Sequence, residues 1–247
     1  MSTIIFIGDS YCASFNQGHD LLDKVQALPP GAPVVPFGLP YLHPDIVATN
    51  YNAQLYCFGY NGKSWWYSYQ KFNNAIKQDP GILKNAMAIV FCHTGWNRIN
   101  SSDQNLCITL SPHNFGKFKP HSQLDAEYAE AYAKFAKYIY DEEHQQWSQQ
   151  QYFKELKELY CNIKTIHFHC FPHSIPYSNL LPGMVYSNPF LYNISHNQNI
   201  DKDFTSKAYN HFNDHNNVAL ANLIIQSIDN YVPGQYEIDT TNFEQVK

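Results

Sequence analysis

The chain has 247 residues, 44% of them hydrophobic and 16% aromatic, and a formal net charge of −5 at pH 7. That size suits one large α/β domain with a sizeable core. The acidic balance, with Arg98 as the only arginine, argues against a phosphate-backbone interface, so no nucleic-acid partner is expected.

The first predicted element is the apolar run Ile4-Ile5-Phe6-Ile7, which stops at Gly8-Asp9-Ser10. It reads as a buried strand of a parallel sheet, with Ser10 just past its carboxyl end, where open α/β sheets bind ligands. Residues 13–28 allow a short helix. Residues 29–44 carry six prolines and read as a loop, followed at 45–48 by a turn of helix. Together 29–50 form a first insertion.

Residues 54–58 read as the second strand, 59–62 as a loop and 64–77 as a helix closed by Asp79-Pro80-Gly81. Met87-Ala88-Ile89-Val90-Phe91-Cys92 is a third strand, apolar throughout, as a strand covered on both faces should be. Residues 101–121 are polar and read as a second insertion. Helical spacing of Ala129, Tyr132, Ala133, Ala136 and Ile139 predicts a helix over 124–143, and another follows over 147–160. Residues 164–170 form the fourth strand and 184–187 a fifth. The last clear element is a helix over 214–231, capped by Asn213 and ended near Pro233-Gly234. The expectation is a three-layer α/β/α domain over 1–234 with a mainly parallel, roughly five-stranded, flavodoxin-like sheet, and a loosely packed tail over 235–247.

Six cysteines, Cys12, Cys57, Cys92, Cys107, Cys161 and Cys170, form no C-x-x-C pair, so no zinc knuckle or redox motif is expected. Cys57 and Cys92 read as buried free thiols. No apolar run reaches the roughly 18 residues of a membrane span, and no export signal is seen, so the chain reads as soluble. Cytoplasm and virus particle are both compatible with that.

All strand carboxyl ends of a parallel sheet lie on one edge. Ser10, Gly62 and Asn97 therefore converge there, and the last helix starts just after Asn210-His211-Phe212-Asn213. Gly8-Asp9-Ser10 resembles the nucleophile block of the SGNH, or GDSL-type, hydrolases. Gly62 after the second strand, Gly95-Trp96-Asn97 after the third and His211 before the last helix are similar to that family's later blocks, in its order. The resemblance implies that Ser10 is the nucleophile and His211 its base. It also implies that the Ser10 and Gly62 backbone N–H groups and the Asn97 amide form an oxyanion hole. No cofactor or metal is implied. The substrate would be a small acyl ester, acetylated carbohydrate included.

Serine needs a base to become nucleophilic, and an oxyanion needs fixed donors, so the chemistry agrees. Two positions depart from the family. Arg98 follows Asn97 where an aspartate is common. The acid usually found three residues before the histidine is absent, since Ala208 precedes His211 and Phe212 precedes His215 at that spacing. Asp203 is the candidate acid, with Asp201 behind it, and His215 is the fallback base. These departures motivate the rival reading of an SGNH-like binding or structural module within a larger assembly, such as a virus particle.

Other features have plainer readings. Asp9 is expected to fix the turn beside Ser10. His167 and His169 share a strand face; packing is favoured over a metal site. Trp65-Trp66-Tyr67 with Tyr69 is expected to pack a helix onto the sheet, with sugar stacking by Trp65, Trp66 or Trp96 as the alternative.

Overall fold

A computed structural model describes residues 1–12, 42–60, 64–96, 123–172, 177–195 and 212–244. Within these, the chain alternates strand and helix. The elements are β1 (Thr3–Gly8), α1 (His43–Asn50), β2 (Gln54–Gly59), α2 (Trp65–Gln78), α3 (Gly81–Lys84), β3 (Ala86–His93), α4 (Gln123–Tyr138) and α5 (Glu142–Tyr160). They continue with β4 (Lys164–His169), β5 (Met184–Asn188), α6 (Leu191–Ile194), α7 (Asp214–Asp229) and β6 (Gly234–Glu237).

The sheet has six strands in the order β2-β1-β3-β4-β5-β6, and every pairing is parallel. The period-two alternation of strand side chains divides the core in two. Ile4, Phe6, Val90, Ile166 and Phe168 face α1 and α7, where Val47, Leu220, Ala221 and Ile224 meet them. Ile5, Ile7, Ile89, Phe91 and Val185 face α2 and α5, where Phe72, Phe153 and Leu156 are buried. This is the three-layer α/β/α sandwich that the apolar strands predict. β1 is buried along its whole length because helices cover both its faces.

Three expectations need correction. The sheet has six strands, not five, because Gly234–Glu237 pairs with β5. The segment expected to be a loose tail also brings Ile238 and Phe243 into the core. Second, part of the first insertion is the helix α1: Pro44 occupies its first turn, where a missing N–H costs nothing, and Val47 and Ala48 are buried. Third, the helix expected over 124–143 ends at Tyr138. Asp141 caps the next helix by accepting from the His144 N–H at 3.1 Å. Ile139 therefore falls between two helices and is 69% exposed. The second insertion, 101–121, lies outside the described residues.

Candidate functional site

From β1 the chain steps to β2 on one side and later to β3 on the other, so the strand order reverses between β1 and β3. Their carboxyl ends flank the crevice where doubly wound sheets take ligands. Ser10 sits there, the first residue of a 3-10 turn (Ser10–Cys12) directly past β1, and is buried. Asp9 shapes the turn as expected. Its Oδ1 accepts from the Tyr11 N–H at 3.0 Å, and its carbonyl accepts from the Cys12 N–H at 3.2 Å.

The strand behind Ser10 leaves no room for a side chain at Gly8. A Cβ there would lie 2.4 Å from the Cys92 carbonyl oxygen on β3. The Gly8 carbonyl accepts from the Ser68 hydroxyl on α2 at 2.5 Å, tying the second turn of that helix to the end of β1. Four buried cysteines outside any disulfide gather at the turn, Cys12 within it and Cys57, Cys92 and Cys170 beside it. Cys57 and Cys92 thus match their expected state. Burial pushes the Cys12 thiol up, so it stays protonated and inert at neutral pH.

For the other proposed groups it is chain neighbours that the structure describes. Gly62 lies outside the described residues, between Tyr60, which directly follows β2, and Ser64. Ser64 caps α2 by accepting from the Tyr67 N–H at 3.3 Å. Asn97 is also outside, directly after buried Trp96. The approach to it is held by Gln149 on α5, which donates to the Thr94 carbonyl at 3.0 Å.

His211 and Asp203 are outside the described residues as well, but Phe212 is not. Its buried ring packs edge-on to Tyr11 at 5.6 Å, and Tyr11 adjoins Ser10. The fallback His215 is exposed on the first turn of α7, with its Nε2 2.9 Å from the Asn242 carbonyl.

Sequence reasoning missed His43. It is fully buried, and its ring meets Phe6 and Phe212 edge-on at 5.8 and 5.9 Å. Asn217 Oδ1 lies 3.1 Å from both its backbone N–H and its Nδ1. Asn217 Nδ2 in turn donates to the carbonyls of Phe212 and Asn213 at 3.3 and 3.2 Å. The available signal was Pro44-Asp45, an N-terminal helix signature that places His43 at the first turn.

On the opposite sheet face, His93, His167 and His169 form a buried group. His93 Nε2 and His167 Nδ1 are 3.0 Å apart, one ring donating to the other, and both rings stack within 5° of parallel on Phe91. Burial holds all three below the ordinary histidine range, His169 at about 4, and the neighbouring imidazoles add to this for His93 and His167. The rings are packed, as expected. Among the described residues no group of three ligating side chains is arranged to hold a metal ion.

No helix among the described residues is long and apolar enough to cross a membrane. Compared with family models, curated proteins and solved structures, the chain matches none.

Proposed function

We propose that the chain is a serine hydrolase that cleaves small carboxylic esters, O-acetylated carbohydrate among them. In this reading Ser10 Oγ attacks the acyl carbon while His211 takes its proton. The Ser10 and Gly62 N–H groups and the Asn97 amide hold the oxyanion. His211 then returns the proton to the departing alcohol, and water, deprotonated by the same imidazole, releases the acid and restores Ser10. Asp203 orients the imidazole.

The observation that carries the reading is the Tyr11–Phe212 contact. It joins the immediate neighbour of the proposed nucleophile to the immediate neighbour of the proposed base. Two further features support it: Ser10 lies at the strand-order reversal, and Gln149 braces the segment leading to Asn97.

The test is hydrolysis of 4-nitrophenyl acetate by the wild type and by Ser10→Ala, with fluorophosphonate labelling alongside. Activity and labelling that both vanish in Ser10→Ala are expected. Equal rates in the two proteins, or no labelling of folded wild type, would sink Ser10 as nucleophile and leave the module reading.

A further inference from the structure

A second feature of the same sheet edge is a cavity of about 410 Å³ between the start of α2 and the first half of α5. That volume is in the range of small-molecule sites. One wall carries Trp65, Trp66 and Tyr69, the other Trp147 and Tyr152. Trp65 stacks on Tyr152 at 4.8 Å and 26°, and Tyr69 meets Tyr152 edge-on at 4.7 Å, so these three rings close the floor.

The remaining two indoles are half exposed, Trp66 tilted against Tyr69 at 6.3 Å and Trp147 stacked on His144 at 6.1 Å. Trp66 is 45% exposed and meets Trp65 only edge-on, at 77°. Trp147 is 56% exposed. Two large rings left half exposed in one concavity offer apolar faces that a stacking ligand would cover.

The polar lining identifies that ligand. Among the described lining residues, the Gln145 and Gln151 amides both donate and accept, the Ser64 and Ser148 hydroxyls already bond the Tyr67 N–H and the His144 carbonyl, and Glu155 is the one charged group. A nucleotide would stack on the indoles, but its phosphate would meet a carboxylate and, among the described lining residues, no cation. A quaternary ammonium or basic side chain would use the rings and Glu155 but would leave the amides and hydroxyls unmatched. A neutral sugar matches both sets, with C–H faces on indole rings and hydroxyls on amides, hydroxyls and a carboxylate.

We infer that the groove between α2 and α5 binds a neutral oligosaccharide. Nothing in this assignment requires Ser10 to be a nucleophile, so it goes beyond the ester-cleavage reading. The two sites are nevertheless adjacent in the fold. Ser68, one residue before Tyr69 on the first wall, bonds the Gly8 carbonyl, and Gln149 on the second wall's helix bonds Thr94.

The test uses the full chain, titrated with cellotetraose, xylotetraose, maltotetraose and chitotetraose, and with AMP and trimethyl-lysine for comparison. Tryptophan fluorescence and calorimetry report binding. Saturable binding of at least one oligosaccharide is expected, weakened at least tenfold by Trp66→Ala and by Trp147→Ala and unchanged in Ser10→Ala. Both indoles are half exposed, and circular dichroism confirms that the variants fold. The inference is overturned if no oligosaccharide binds. It is equally overturned if only AMP or trimethyl-lysine binds, or if both tryptophan variants bind as tightly as wild type. Loss of aryl-ester turnover in Ser10→Ala with sugar binding intact separates this site's test from that of the catalytic reading.

Discussion

The ring of Phe212 packs edge-on to that of Tyr11, centroids 5.6 Å apart and planes at 71°, joining the start of α7 to the turn that carries Ser10. The contact spans nearly the whole chain in sequence and is fully buried on the Phe212 side. Phe212→Leu keeps an apolar side chain there but removes the ring. The expected outcome is a loss of about 1–2 kcal/mol in stability and a drop in kcat for 4-nitrophenyl acetate larger than any change in KM. A variant that unfolds earlier yet keeps wild-type kcat would remove the proposed link between this packing and the base.

Asn97→Ala removes one proposed oxyanion donor. Such a loss typically lowers the rate about 10²–10³-fold. Steady-state kcat for the aryl acetate measures it, with fluorophosphonate labelling expected to slow in parallel. A rate within threefold of wild type would take Asn97 out of the site.

The three buried histidines make folding sensitive to acid. Their folded-state values lie below the ordinary 6.5, with His169 at about 4. The unfolded chain therefore binds more protons as pH falls below 6.5. Stability is fully present above that pH and is lost as pH falls toward 4, by up to about tenfold in the unfolding constant per pH unit for each histidine. Urea midpoints at pH 7.5 and 5.5 should differ accordingly. His167→Phe, which keeps a ring against Phe91 and His93, should reduce that difference. An equal difference in the variant would assign the acid sensitivity elsewhere.

Gly183 marks a close approach of two strands. A Cβ there would lie 1.9 Å from the Thr165 carbonyl oxygen, whereas one at Gly234 would meet nothing nearer than the Tyr236 ring at 3.4 Å. Gly183→Ala should cost about 1–3 kcal/mol or more, since backbone must move. Gly234→Ala should be nearly neutral. Thermal unfolding of the pair compares them directly, and equal midpoints would contradict the geometry.

Ending the chain at Pro233 removes β6 and the buried side chains of Ile238 and Phe243. At about 1.5–3 kcal/mol for each large apolar side chain, the loss should reach roughly 3–6 kcal/mol. An unchanged melting temperature would restore the view of this segment as a dispensable tail.

The sequence made the central strands legible: β1 and β3 are covered on both faces and contain long apolar runs, while β4 alternates Ile166 and Phe168 with Thr165, His167 and His169. β6 was not legible. Gly-Gln-Tyr-Glu has no apolar run, and its exposure alternates along an edge. It is a strand because β5 supplies a partner, which no local pattern encodes. The boundary between α4 and α5 was missed for a local reason. Ile139 continued the helical spacing, but the Asp141 cap two residues on set the real start of the next helix.

At the site, the Gly8-Asp9-Ser10 turn could be read residue by residue because Asp9 acts on its own neighbours. The His43–Asn217 pair could not, since its members stand 174 positions apart. The groove was half visible: the Trp65-Trp66 pair drew notice, but Trp147 acquires meaning only once α5 lies beside α2. Trp96, the third sugar-stacking candidate, is buried.

Asn217 has a consequence for how this chain can vary. Its carboxamide oxygen holds His43, and its amide nitrogen holds the carbonyls of Phe212 and Asn213. Residues 13–41 return to the described fold at the first of these places, and residues 196–211 at the second. One amide thus ties the first turn of α1 to the residues that lead into α7. A change at this single amide therefore loosens both places at once.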